Sequence, residues 1–291
     1  MQFRLVVKLP RKAGFTLIEL SIVLVIVGLL AGGVLIGRDM IHAASLRASV
    51  SQLARYDAAV NAFREKYGGI PGDITPDVAT AYGFFPGTGD GNGIITQNSF
   101  GTGGPIIGPP YGGGAWGVVC GSEALVFWRH LSDASMMDGS YGQGDGTATL
   151  SATGYVTSDT NSVGSFLPAA RLGDGNYVTV FSSLQSQNYY ILTSLNRLRT
   201  FGNCFASNGS GNITPLDAHS VDAKLDDGLP NSGSVVAGSN ATNFPMPSFA
   251  TVSSPSTCII GSGYMDSQAT YNTNVASGGN DFSCSLAVRF K

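Results

Sequence analysis

Charge is scarce in this sequence: Asp, Glu, Lys and Arg make up 12% of its 291 residues. The first 14 residues hold four of the 16 basic side chains, Arg4, Lys8, Arg11 and Lys12, and no acid. The rest of the chain carries 12 basic against 19 acidic residues, a net of about −7. That balance argues against a body that is one broad phosphate-binding surface, so nucleic acid is not the expected partner, while a local basic patch stays open. Catalytic signatures are missing too. There are three histidines, and no G-x-S-x-G, H-E-x-x-H or C-x-x-C occurs. The series Gly87, Gly89, Gly91, Gly93 lacks the strand-to-helix setting of a dinucleotide fingerprint and the Gly-Lys-Ser/Thr of a P-loop. No internal repeat is present. The chain therefore reads as a protein without enzymatic activity.

What is abundant is glycine, 40 residues, within a chain that is 43% hydrophobic. That hydrophobic share supplies a core and excludes disorder. With frequent Ser, Thr and Asn, the composition describes a β- and loop-rich extracytoplasmic body. Residues 15–37, FTLIELSIVLVIVGLLAGGVLIG, are apolar for long enough to cross a bilayer as a helix, and they contain one charge, Glu19. A carboxylate in that position is expensive in hydrocarbon and calls for a cation. An ordinary secretory signal cut near Ala31-Gly32-Gly33, or a plain single-span anchor, would share the apolar run and the basic start. Neither accounts for an acid five residues after Gly14.

The residues GFTLIEL, Gly14 to Leu20, preceded by Arg11 and Lys12, resemble the signal of type IV pilins and of type II secretion pseudopilins. The resemblance implies a leader, residues 1–14, cut by a prepilin peptidase between Gly14 and Phe15, N-methylation of Phe15, and Glu19 as the glutamate used in assembly. It also implies partners: other pilin or pseudopilin subunits, the peptidase, the inner membrane and an assembly platform. The protein would be a single-pass inner-membrane protein first, and a periplasmic or extracellular filament afterwards. Many filament-forming pilins carry proline where this chain has Ile36. KYGGIPGD, SEALVFWRHLSDASMM and VDAKLDDGLPNSG resemble segments of a subgroup of large pilin-like proteins.

Beyond the apolar run, Leu46, Leu53, Val60 and Tyr67 recur every seven residues, with Tyr56 and Phe63 between them, and make one helical stripe. Arg47, Arg55, Arg64, Glu65 and Lys66 lie off it. The expectation is a membrane half at 15–37, an amphipathic half at 38–67 and an extracytoplasmic globular domain at 68–291. Gly68 to Asp73, with Pro71, should end the helix. Residues 83–114 read as a long loop with short strands. Ser122 to Met137 reads as a second helix capped by Ser122, with Leu125, Trp128 and Leu131 on one face and His130 as a structural histidine. A further helix should start at Thr214 and Pro215. Strands are expected at Tyr177–Leu184, Tyr189–Leu198, Gly233–Ala237 and Ser283–Lys291, the last alternating between a buried and an open face. Together these describe an α+β fold of pilin type, an antiparallel sheet lying on a long N-terminal helix.

Four cysteines, Cys120, Cys204, Cys258 and Cys284, favour two disulfides over a metal site in an exported body, with buried free thiols as the alternative. Of three pairings, Cys258 with Cys284 and Cys120 with Cys204 are preferred on sequence proximity. No cofactor is required, and Ca²⁺ is the one ion the loops could take: Asp90 with Asn92, or Asp222 with Asp226 and Asp227. Asp-Gly is also ordinary turn chemistry, and the Asp90 loop lacks the closing glutamate of an EF-hand. Two functions stand side by side. One is a structural subunit of a pilus or pseudopilus; the other is a minor or tip pilin whose loops at 83–114 and 238–282 bind an adhesive target or DNA.

Overall fold

The computed structural model describes residues 14, 16–95, 97–98, 105–106, 118–119, 122–172, 175–182, 187–198, 200, 203–205, 212–238, 258–261, 269–274 and 284–290. The helices are α1 (Leu17–Tyr67), α2 (Pro76–Ala81), α3 (Glu123–Asp133) and α4 (Pro215–Leu225). The strands run β1 (Gln97–Asn98), β2 (Pro105–Ile106), β3 (Val118–Val119), β4 (Asn176–Ser182), β5 (Asn188–Ser194), β6 (Arg197–Leu198), β7 (Asn203–Phe205), β8 (Val235–Gly238), β9 (Ile259–Ile260), β10 (Thr270–Tyr271) and β11 (Ser285–Arg289). Much of the loop regions at 83–114 and 238–282 lies outside the described residues.

The chain divides into two compact units, residues 1–44 and 45–291, and the division falls inside α1. In the first unit α1 runs unbroken through Gly28, Gly32, Gly33, Ile36 and Gly37. Apolar side chains stand open along it, Leu17 at 88% exposure and Ile41 at 72%. α1 is the one helix among the described residues that is long and apolar enough to cross a membrane.

In the second unit α1 behaves as its stripe predicts. Leu46, Leu53, Tyr56, Val60 and Phe63 are buried, while Arg47, Arg55, Arg64, Glu65 and Lys66 are exposed. Each large side chain taken from water in this way stabilises the fold by roughly 1.5–3 kcal/mol before conformational entropy is charged against it. Tyr56 meets Trp128 of α3 edge to face, with centroids 4.9 Å apart, and Tyr190 of β5 at 5.9 Å, so helix, helix and sheet share one aromatic cluster. The helix ends at Tyr67, and Gly68 comes next with φ +79°. The main sheet is antiparallel with order β4-β5-β11-β8. Long helix and antiparallel sheet together make the α+β, pilin-like architecture.

Three local expectations need correction. β11 does not alternate between core and solvent: Ser285, Leu286, Ala287 and Val288 are all buried, because β11 is a central strand and small residues fill its second face. Ser285 also shares a buried hydroxyl pair with Thr193 of β5 at 2.8 Å. Ser122 does not cap α3; it sits at φ +56° and its hydroxyl pairs with Thr88 at 2.8 Å. α3 itself is buried nearly all round, with Ala124, Val126 and Phe127 inside alongside Leu125, Trp128 and Leu131, and it stops at Asp133, before Met136 and Met137.

Both sheet edges are covered by the chain's own backbone. Outside β4, Ala170 donates to the Asn176 carbonyl at 2.8 Å and Val178 donates to Pro168 at 2.9 Å. Outside β8, the Ala237 amide donates to Pro230 at 2.9 Å. Covered edges remove templates for unintended strand pairing.

Candidate functional site

Helix α1 opens with a reciprocal cap. Glu19 Oε2 accepts the Thr16 amide at 2.8 Å and the Thr16 hydroxyl at 2.7 Å, while the Glu19 amide donates to Thr16 Oγ1 at 3.3 Å. This is a capping box: threonine just before the helix and glutamate three residues on satisfy amides that the helix cannot. The T-x-x-E spacing is legible in the sequence, although an acid in an apolar run points first to a cation. The geometry holds the carboxylate over the helix N-terminus, where the macrodipole favours a negative charge. Both bonds that the carboxylate accepts from Thr16 fall on Oε2. Gly14 is exposed, and Phe15 lies outside the described residues.

Residues 9–35 match the family model described as the prokaryotic N-terminal methylation motif. This is a pilin-type N-terminus. The matched segment runs into α1, the helix long and apolar enough to cross a membrane, as membrane anchoring through such a motif requires. No curated protein and no solved structure matches the chain.

The remaining candidates lie in the second unit. A disulfide joins Cys258 to Cys284, and both residues are fully buried. Cys204 belongs to β7, where its backbone pairs with Val118 and Leu198, and Cys120 lies outside the described residues.

Asp222, Asp226 and Asp227 can each present an oxygen within 4.8 Å of the others. Asp222 is buried, accepts the Tyr271 hydroxyl at 2.7 Å and the Gly228 amide at 3.2 Å, and is pushed up to about 6 by burial, with Asp227 and Asp226 adding to the rise. Asp226 accepts the Ser234 and Val235 amides; Asp227 accepts the Leu229 amide at 2.8 Å and the Ser232 hydroxyl at 2.5 Å. Asp90 sits in a different set, with Asp73 and Glu123, a grouping that no sequence spacing singles out. Asp73 accepts the Gly91 amide at 3.1 Å and the Gly93 amide at 2.8 Å, and Asn92 donates to Asp90 through its backbone at 3.1 Å and its side chain at 2.8 Å. Burial pushes the Asp73 carboxyl up. Both sets offer the hard oxygens that Ca²⁺ takes. These hydrogen bonds are the turn chemistry of Asp-Gly loops, and neither set is assigned an ion. Asp145 shows the same pattern outside either set, accepting the amides of Thr147 and Ala148 and the hydroxyls of Thr147 and Thr160.

His130 is fully buried on α3 and ties the exit of α1 to the following loop. Its Nδ1 accepts the Gly72 amide at 2.9 Å, and its Nε2 donates to the Phe85 carbonyl at 2.6 Å. The bond accepted at Nδ1 requires the neutral ring, and burial pushes its pKa down to about 4 from the ordinary 6.5. Because the unfolded chain binds this proton more readily, the contribution is complete above about pH 6.5 and is lost as pH falls toward 4, by about 3 kcal/mol. Asp222 acts in the opposite direction: its raised pKa stabilises below its ordinary value of 3.8, and that contribution is lost as pH rises through about 6. Urea unfolding between pH 4 and 7 should therefore show the acid-side loss when the native chain is compared with His130→Gln. Parallel pH profiles for the two proteins would contradict this role.

Proposed function

We propose that the chain is a structural subunit of a type IV pilus or of a type II secretion pseudopilus, made at the inner membrane and packed into a helical filament through its N-terminal helix. The observation that carries the reading is the methylation-motif match over residues 9–35 together with Glu19 held on the first turn of that helix. In this reading residues 1–14 are the leader, residues 15–37 the membrane and filament-core half, 38–67 the amphipathic half, and 68–291 the extracytoplasmic body. Cutting after Gly14 creates an ammonium at Phe15, and methylation keeps its charge. A neighbouring subunit offset along the filament presents that ammonium to Glu19, so each buried charge is neutralised by the next copy and the register is set. The chain acts by assembly, without catalysis or a required cofactor, and its partners are other subunits, the prepilin peptidase and the assembly platform.

Expression with and without a prepilin peptidase, followed by intact and peptide mass spectrometry, tests the processing. The expected product starts at N-methylated Phe15; a start near Gly33, or no cleavage, sinks the reading. The capping box supplies a sharper test of Glu19. Glu19→Gln keeps a side chain that can complete the cap but removes the charge. If the charge pair drives assembly, this variant is processed normally, yet its filament yield drops about tenfold or more, since an unmatched ammonium is left in an apolar core. Normal filament yield from Glu19→Gln would reduce Glu19 to a helix cap.

A further inference from the structure

An open groove of about 890 Å³ runs along the exposed flank of α1 in the second unit. Its lining includes Ala58 and Ala62 of α1, Met136 and Met137, and the cationic Arg55 and Arg171. The lining at 169–171 is anchored. Gln52, 7% exposed, donates to the Ala169 carbonyl at 2.8 Å and accepts the Arg171 amide at 3.0 Å, which fixes the backbone that carries Arg171. Arg55 and Arg171 are exposed, and among the described residues neither guanidinium has an ion pair. Asp138 also lines the groove, so the two cations outnumber one acid. Small residues and methionines permit close approach of an apolar group, and guanidinium groups favour carboxylates.

The chain carries the complement of this surface. In the turn after α4, Asp226 and Asp227 are exposed and Leu229 is 41% exposed. Asp226 is tied by the Ser234 and Val235 amides to the start of β8. The groove lining at 169–170 is tied to β4. β4 and β8 are the opposite edges of the four-stranded sheet, three strand spacings or roughly 14 Å apart. A turn anchored at one edge and a groove anchored at the other suit a contact between copies.

We propose that the groove of one copy receives the Asp226–Leu229 turn of a second copy of this chain, with Asp226 and Asp227 facing Arg55 and Arg171, and Leu229 seated on the methionine and alanine surface. The contact is heterologous, two different patches meeting head to tail, and such contacts propagate into open helical assemblies rather than closing as a two-fold dimer. It rests on the filament-subunit reading and supplies a body-to-body contact in addition to the N-terminal helix.

The test places a photo-crosslinking amino acid at Met137, and separately at Ala58, in the full-length chain expressed with a prepilin peptidase and its assembly machinery. Sheared filaments are irradiated and the linked peptides mapped by mass spectrometry. The expected product is a covalent dimer linked to residues 226–229 of the second copy, lost in Arg55→Glu/Arg171→Glu, whose unfolding midpoint should stay at the native value because both side chains are exposed. Filaments that form but link elsewhere in the second copy, link to a different protein, or do not link at all overturn this contact while leaving the filament reading in place. A chain that is never cut after Gly14 and forms no filaments overturns both.

Discussion

Replacing Gly72 with alanine is expected to lower the stability of the 45–291 unit by roughly 3–5 kcal/mol, while the same change at Gly68 costs about 1 kcal/mol. Both glycines have positive φ, +84° and +79°, so both substitutions carry the penalty of a left-handed conformation in an L-residue. The difference lies in what the new methyl would meet. At Gly68 nothing lies within 4 Å. At Gly72 a Cβ would stand 2.5 Å from the Glu123 carbonyl oxygen and 3.0 Å from the Phe127 Cα and amide nitrogen, all backbone atoms of α3. Backbone cannot rotate aside as a side chain can, so α3 or the 68–73 turn must move. That movement stretches the Gly72 amide from His130 and disturbs the aromatic cluster around Trp128. For a unit of this size the Gly72 variant should melt about 6–20 °C lower and the Gly68 variant a few degrees lower. Equal shifts for the two variants in calorimetry would show that the close approach of this turn to α3 is absent in solution.

Removing the Cys258–Cys284 disulfide, as Cys258→Ala/Cys284→Ala, is expected to cost about 3.5 kcal/mol and to lower the melting temperature by about 7–14 °C. The bridge spans a sequence separation of 26 residues, and in the chain-entropy account that separation sets the magnitude by limiting the unfolded ensemble. The native consequences should be local. Cys284 leads directly into β11 and its amide donates to Ile213 at 2.9 Å, while Cys258 leads into β9 and its carbonyl accepts the Asn272 amide at 3.0 Å. The bridge thus staples the β9–β10 hairpin to the start of a central strand. Beside Asn272, Tyr271 donates to Asp222, so loosening the hairpin also removes one partner from a buried carboxyl. Amide hydrogen exchange of the double variant should rise first at residues 269–274. A uniform rise across β4, β5 and β11 would instead mean that the bridge holds the whole sheet.

Together these two variants separate the supports of the fold. Gly72 governs how α1 leaves its helix and packs on α3; the disulfide governs how the C-terminal hairpin joins the sheet. Gly72 bonds His130 while Cys258 and Cys284 bond Asn272 and Ile213, separate partners among the described residues, so their effects should add.

How much of the fold is legible in the sequence depends on the range of the interaction. Gly14 to Leu20, the apolar run and the seven-residue stripe of α1 are short-range patterns, and so is Thr214 with Pro215, where the Thr214 hydroxyl accepts the Asp217 amide at 3.1 Å. In each case neighbouring residues of the pattern are within about two turns of one another, so their order along the chain is enough. The T-x-x-E cap is equally local, but a lone carboxylate in an apolar run reads first as a charge in search of a cation, and that reading hides the cap.

Other features have no local cause. Ser122 reads as a cap, but its backbone is held in the left-handed region where Gly154 packs against it, and a Cβ on Gly154 would come within 2.6 Å of the Ser122 carbonyl oxygen. β11 reads as half-exposed from its alternation, since only the strand order shows that β5 and β8 flank it. Asp73, Asp90 and Glu123 are brought together from three segments, and so is the lining of the groove at Arg55, Met137 and Arg171. By itself the sequence determined α1 with its exit after Tyr67, the capped start of α4 and the pilin-type N-terminus, because hydrogen bonds and periodicities that span a few residues are written in adjacent letters. Which strand is central, which acids meet and which flank of α1 stays open were decided by tertiary structure alone, because those depend on which distant segments bury one another's surface.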